Sequence, residues 1–453
     1  MGSNVVSPVL DAVKDARDVM WIGKYSPQLQ FASTCDPIDG TKGFRCPSHL
    51  HQSFNTVIMT EFDLGTIKQW KIVLDEALRL LRPQGTIVLR YGESAFLTVC
   101  ALKNFLLTWS KHQVAIIEEA VSTEHMITTT IRLTTTEPRN ANATSWTFGL
   151  ITDGKRLSNV VAFVESVRAI RGLKDFEIVI CGPRIEIGNF EYVRFIEPAI
   201  GFEKMGWITQ KKNQIVAAAR HPNLVVAHDR YTIDADFLEN VSSFGGDFDV
   251  LTPAQKTLSG DQFPDWVTTA APWNVAAVGK MNYDDYSPFS YINGGFIISK
   301  TKILLEIGWN NLLFWNQAED VELSRRLEAA GWVHRMAKDI RVRTLDVRAN
   351  YLEHFKLLPE VEGKFVLPGS VFYSPYVFVN DLPSVFRSNL EKGIKLVIFG
   401  TLSKLGLKKT LKVLFVRSKP RLVQALQHTR KNSPWLAQRI ETIGRLVQRE
   451  LRR

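Results

Sequence analysis

Ala227-His228-Asp229-Arg230-Tyr231, Asn293-Gly294-Gly295 and Ala318-Glu319-Asp320-Val321-Glu322-Leu323 are the stretches that decide the reading of this 453-residue chain. The first closes an apolar run, Asn223 to Ala227, with the length and composition of a buried strand. The second opens another such run, Phe296 to Ser299, and the third starts a helix with apolar positions at Val321, Leu323 and Leu327. In an open α/β sheet, polar groups at the carboxyl ends of strands share one crevice, and ligands bind there. Three polar signatures in this order, within residues 146–331, predict a single site on an α/β framework.

Upstream of these stretches, Phe148–Thr152 reads as a strand ending at Asp153-Gly154. A helix follows over Leu157–Ile170, with apolar residues at Val160, Val161, Val164 and Val167, and then a strand over Phe176–Ile180. That alternation implies a parallel sheet with right-handed crossovers. Residues 134–145 are polar and aperiodic, and residues 137–145 are assigned as a linker. Before them come strands at Asp18–Gly23, Phe31–Asp36 and Phe54–Thr60. A helix through Leu74, Ala77, Leu78 and Leu81 then stops at Arg82-Pro83-Gln84-Gly85, ahead of a strand over Thr86–Arg90.

Composition bounds the class. A chain of 453 residues with 45% hydrophobic content exceeds what one core organises, so two or three domains are expected. Cys35, Cys46, Cys100 and Cys181 form no C-x-x-C pair or metal-ligand spacing, which predicts unpaired thiols in a reducing compartment. Neither a leader peptide nor a membrane-spanning run is expected, so the sequons at Asn142 and Asn240 would go unused.

The net charge of +10 is unevenly placed. From Val385 to Arg453 there are 17 Lys plus Arg against 3 Glu and no Asp, a balance of +14, which leaves −4 for the rest of the chain. Between these bases lie apolar clusters, Leu396–Phe399 and Val413–Val416. Such a mixture suits an anionic lipid interface, where each basic residue contributes about 1 kcal/mol. Helices packed on the body with a solvated basic face are the alternative. The tail is aliphatic rather than rich in stacking aromatics, so no nucleic-acid partner is expected.

Across residues 146–344 the chain resembles the family 2 glycosyltransferases of the GT-A fold. The opening strand-helix-strand, the Lys211-Lys212-Asn213 helix, the strand ending at His228-Asp229-Arg230 and the Glu319-Asp320 helix carry that resemblance. It implies a nucleotide-sugar donor and a hydroxyl acceptor on a glycan or lipid. It also implies a divalent Mn²⁺ or Mg²⁺ at the strand end, for which hard oxygen ligands are suited. The family closes this strand with Asp-x-Asp, whereas His228 and Arg230 occupy the outer positions here. Asp229, with His228, would hold the metal, or Arg230 would meet the phosphates directly. A literal Asp-x-Asp at Asp234-Ala235-Asp236 is expected to cap the next helix instead.

By the same resemblance Asp320 is the base that deprotonates the acceptor, with Glu319 as an acceptor or structural ligand. Thr152, Asp153, Lys212, Asn213, Asn293, Gly294 and Gly295 would border the donor. Glu322 with Arg325 or Arg326 reads as a surface ion pair, and His334 and His354 as structural residues.

Residues 1–136 resemble the later half of a class I methyltransferase, in which a helix ending in Leu-Arg-Pro precedes a strand. That fold needs a glycine-rich turn after its first strand so that backbone can approach the cofactor. Only Gly23 is present, followed too soon by the next strand for a helix to intervene. Asp36 or Asp39 could mimic the acidic ribose ligand, or serve simply as turn residues. Binding of S-adenosylmethionine is therefore not expected.

The resulting expectation is an α/β chain of four parts. A degenerate Rossmann-like, methyltransferase-type domain (1–136) and a linker (137–145) precede a GT-A domain (146–384) and a basic amphipathic helical tail (385–453). Its activity would be inverting glycosyl transfer in cell-surface polysaccharide synthesis, at the cytoplasmic face of the plasma membrane. A glycan methyltransferase and a noncatalytic glycan-binding scaffold are the alternatives.

Overall fold

The computed structural model describes residues 18–23, 33–109, 114–121, 125–134, 142–188, 191–198, 206–269, 279–314, 317–347, 360–361 and 364–365. The chain divides into two compact units, Met1–Leu382 and Pro383–Arg453. The basic tail and His354 lie outside the described residues. Among the described residues no helix is long and apolar enough to cross a membrane, and the four cysteines are unpaired.

The first unit contains two large sheets. In the first, strands β1 (Val19–Ile22), β2 (Ser33–Cys35), β3 (Phe54–Met59) and β4 (Leu81–Tyr91) run parallel. They are followed by β5 (Val114–Val121) and the antiparallel β6 (Ile127–Leu133), giving the order β2-β1-β3-β4-β6-β5. Helix α1 (Trp70–Leu80) crosses from β3 to β4, and α2 (Val99–Trp109) follows β4. Helix and strand meet without an intervening loop: Arg82-Pro83-Gln84-Gly85, expected as a separating turn, lies inside β4 as an irregularity, with Gln84 at φ 64°. At the end of β1, Trp21 Nε1 donates to Glu61 Oε2 at 3.0 Å, and Glu61 fills the space over Gly23. Asp36 and Asp39 accept from the nearby amides of Ile38 and Thr41, as turn residues do.

The second sheet begins with β7 (Ser145–Ile151), α3 (Leu157–Arg168), β8 (Asp175–Cys181), β9 (Val193–Ile196), α4 (Ile208–Ala218) and β10 (Asn223–His228). Next come β11 (Tyr231–Ile233), α5 (Phe237–Phe244) and β12 (Val250–Thr257), then a small sheet of β13 (Trp266–Thr268), β14 (Gly279–Lys280) and β15 (Ser290–Ile292). The unit continues through β16 (Phe296–Lys300), α6 (Thr301–Ile307), α7 (Glu319–Ala329) and β17 (His334–Thr344). The large sheet has the order β11-β17-β12-β16-β10-β7-β8-β9 and is mixed: β9, β8, β7 and β10 are parallel, and β16 is inserted antiparallel. Both faces are covered, so the strands alternate between two cores. In β10, Val225 and Ala227 pack with α3 and α5, while Leu224 and Val226 pack with α4, α6 and α7.

A buried ionic cluster joins the two sheets. Arg79 on α1 pairs with Asp75 at 2.9 Å and with Asp249 at 3.0 Å, and also bonds the Asp247 carbonyl. Arg335 on β17 reaches back to Asp75 at 2.6 Å and Glu76 at 2.8 Å. Arg45 bridges Glu76 and Asp247, and His51 bonds the same two acids at 2.7 and 2.9 Å. Three arginines and one histidine thus face four carboxylates, with α1 forming the seam.

Candidate functional site

The sheet order reverses at β7, with β8 and β9 on one side and β10 on the other. Such a switch point opens a crevice at the carboxyl ends of the strands. Register places His228 opposite Ile151, so Thr152 and Asp229 are the first residues beyond both strands. Thr152 Oγ1 donates to Asp229 Oδ2 at 2.7 Å, and Arg156 Nη1 donates to Asp229 Oδ1 at 2.9 Å. Burial pushes the Asp229 carboxyl above its usual pKa, against the opposing pull of Thr152 and Arg156. Arg156 has no motif to announce it and was not among the expected site residues.

Because β16 is antiparallel to β10, its amino end arrives at the same crevice. His228 N donates to Gly295 O at 2.9 Å, which fixes Asn293-Gly294-Gly295 beside His228-Asp229-Arg230. Neither glycine has positive φ, so left-handed backbone is not what calls for glycine in this turn. Both are required by close approach instead. A Cβ on Gly294 would stand 2.9 Å from Glu319 Oε1 and 3.3 Å from Lys212 Nζ, and one on Gly295 would stand 2.6 Å from Tyr231 Oη. Asn293 is buried and ties the turn, donating to the Pro264 carbonyl and accepting from Gly295 N at 2.9 Å.

The third signature arrives with α7. Its N-cap, Ala318, sits at φ 55°, a left-handed conformation that costs a non-glycine residue about 1–2 kcal/mol. Asp320 Oδ2 accepts from Gly294 N at 3.2 Å and Oδ1 accepts from Val321 N at 2.9 Å. Its carboxyl is pushed up to about 7 by burial and by the charge of Glu319. Lys212 Nζ, fully buried on α4, donates to Gly294 O at 2.8 Å and to Glu319 Oε1 at 3.3 Å, and lies 5.2 Å from the centroid of the Trp309 ring. Lys211 Nζ caps the Thr152 carbonyl at 2.8 Å. Two acids, two lysines, Asp229 and Arg156 thus gather from α7, α4, β10 and the loop after β7.

His228 is held neutral: burial, aided by Lys212, Arg230 and Arg156, takes its pKa far below the usual value. Its Nε2 is buried without a hydrogen-bond partner. The Arg230 guanidinium lies 5.4 and 5.3 Å from the ring centroids of Tyr231 and Phe263. Among the described residues no group of three or more His, Cys, Asp or Glu could hold a metal ion.

Other expected residues have different roles. The Asn213 amide is spent on the Trp309 backbone, at 2.7 and 2.8 Å, and on Asn311, so it clamps a loop rather than bordering the crevice. Asp153 is exposed and pairs with Lys155 at 2.8 Å. Asp236 stands at the N-cap of α5 but makes no capping hydrogen bond, and Asp234 binds Arg343 at 3.0 Å. The expected surface pair is a buried Glu322 gripped by Arg326 at 2.7 and 2.8 Å. His334 bonds Thr252 at 2.7 Å, and burial depresses its pKa to about 3, as befits a structural histidine.

No family model and no curated protein matches the chain. Parts of it are similar, at low identity, to solved structures. The crystal structure of S. aureus TarS 1–349 is 13% identical, covers 44% of this chain and 60% of its own, and gives a TM-score of 0.31. GalNAc-T7 with UDP, GalNAc and Mn²⁺ is 12% identical over 48% of this chain and 46% of its own, with a TM-score of 0.36. A longer S. aureus TarS structure is 13% identical over 46% and 38%, at 0.30. The chain spans less than two thirds of each. Likenesses this distant leave function to be argued from this chain's own side chains.

Proposed function

We propose that the chain is an inverting glycosyltransferase that moves a sugar from a nucleotide-sugar donor to a hydroxyl of a glycan or lipid-linked acceptor. Cell-surface polysaccharide synthesis is the setting proposed. The observation that carries this reading is the meeting of Asp320 with Glu319, Lys212 and the Asp229 group at the switch point of an α/β sheet. A general base works best with a pKa near the operating pH, and Asp320 at about 7 meets that condition while keeping part of its surface accessible. It takes the acceptor proton as the hydroxyl oxygen attacks the anomeric carbon. The bond from that carbon to the diphosphate then breaks, and the nucleoside diphosphate leaves with the electron pair.

Charge on the leaving diphosphate is met by Arg156 and Arg230 beside the crevice. His228 Nε2, neutral and without a partner, and the Asp229 carboxylate suit a divalent cation such as Mn²⁺ or Mg²⁺ whose remaining ligands come from the donor. Such a cation would supply Lewis-acid stabilisation of the leaving phosphate. Turnover of a nucleotide-sugar panel by the purified chain, with Mn²⁺ and with EDTA, tests the reading. Donor cleavage that falls at least tenfold in EDTA is the expected result. Full activity in EDTA would assign charge neutralisation to the arginines alone, and no turnover with any donor would overturn the transfer reading.

In the proposed arrangement residues 1–136 form a degenerate methyltransferase-type domain fused to a GT-A domain over 146–384. Glu61 filling the space over Gly23 supports a packing role for the first part rather than S-adenosylmethionine binding. The tail from Val385, with its balance of +14, is proposed to hold the enzyme on the inner face of the plasma membrane. The full chain is expected to sediment with phosphatidylglycerol vesicles at low salt and to be released at high salt. Equal binding to uncharged phosphatidylcholine vesicles would refute the electrostatic attachment.

A further inference from the structure

Adjacent carboxylates at a helix start present a chemical ambiguity. Glu319 and Asp320 repel one another, so one of them gains proton affinity, and nothing in their sequence says which. The packing around them breaks the symmetry. Lys212 Nζ donates to Glu319 Oε1 at 3.3 Å and to Gly294 O at 2.8 Å, while the Gly294 N–H donates to Asp320 Oδ2 at 3.2 Å. Gly294 therefore meets both sides, its N–H on Asp320 and its carbonyl on the ammonium that also holds Glu319. Gly294 is what permits this, because any Cβ there would crowd Glu319, Asp320 and Lys212 together.

A fully buried lysine is costly unless its charge is paired, and Lys212 has 0% exposure. A residue that merely packed α4 against the sheet would not need an ammonium at this place. The ammonium has an acid partner in Glu319, and the Trp309 ring lies within cation–π range. The charged groups facing Asp320 are Glu319 on its own helix and Lys212 from α4. Asp229 belongs to a separate contact with Thr152 and Arg156.

We infer that Lys212 is a positioning residue: it holds the Glu319 carboxylate turned toward α4, sets its own ammonium beside the pair, and so assigns proton transfer to Asp320 alone. This rests on the transfer reading for its purpose, though not for its measurement. Separating the proton affinities of two neighbouring acids is the general way in which one site fixes which group exchanges the proton.

The test follows the Asp320 carboxyl by ¹³C NMR in aspartate-labelled full-length protein, with the resonance identified by its loss in Asp320→Asn. Removing the positive charge in Lys212→Met is expected to raise the Asp320 midpoint by roughly one pH unit or more. Lys212→Arg should restore it to near the native value. Glu319→Gln should lower it, by removing the like charge, and serves if Lys212→Met fails to fold. The acid limb of the transfer rate against pH should move in the same directions, with kcat changing more than KM. A midpoint unmoved by either neutralising substitution would overturn the inference. Absence of turnover in the native protein would sink the transfer reading instead, and the NMR titration would still decide what Lys212 does.

Discussion

Substituting Asn for Asp320 is expected to lower the rate of sugar transfer by about 10²–10⁴-fold, the usual contribution of a positioned general base. Asn keeps the size of the side chain, and its amide oxygen can still accept from Gly294 N, so the fold and donor affinity should change little. What is lost is the ability to bind a proton. In the native protein, activity should rise with pH through about 7, because Asp320 must be ionised to accept the acceptor's proton. Steady-state kinetics with a saturating donor would show kcat falling and KM nearly constant. An Asp320→Asn enzyme within threefold of native would exclude Asp320 as the base.

The second large effect concerns stability. Replacing Arg79 with Leu should destabilise the first unit by about 3–5 kcal/mol, the cost of removing one partner from a buried ionic set. Arg79 has 2% exposure and is paired to Asp75 and Asp249, so its loss removes positive charge from beside two buried acids at the seam. Urea denaturation should show the midpoint falling, and a midpoint unchanged within error would mean that water or rearrangement replaces the guanidinium.

The same cluster gives stability a pH dependence. Burial opposes the charge on His51, but its bonds to Asp247 and Glu76 outweigh burial and raise its pKa above the ordinary 6.5. A raised folded-state pKa contributes stability that is fully present below the unfolded value of about 6.5 and is lost as pH rises through the folded value. Native protein should accordingly lose urea resistance across that window, and His51→Gln should flatten the loss.

Much of the framework was legible because apolar periodicity is local. The continuous apolar run of β10 and the helical spacing of α3 and α7 depend only on which residues face a core, and each element forms where that pattern places it. The polar stretches 227–231, 293–295 and 318–323 were also recognisable, since charged residues at strand and helix ends have few other reasons to interrupt apolar runs.

Side-chain direction and long-range pairing were not legible. Asn213 follows Lys212 by one residue, yet a helical step of about 100° sends one amide to the Trp309 loop and the other residue's ammonium to Glu319, 107 positions away. Arg156 meets Asp229 only because β7 and β10 pair in register, a relation between segments 73 residues apart. The sequence by itself determined an α/β chain with three polar signatures in order. Tertiary structure decided that they meet, which of two adjacent acids carries the raised proton affinity, and that the two sheets share a buried ionic seam. Proximity across the chain and the local dielectric set these outcomes, and neither is a property of any single segment.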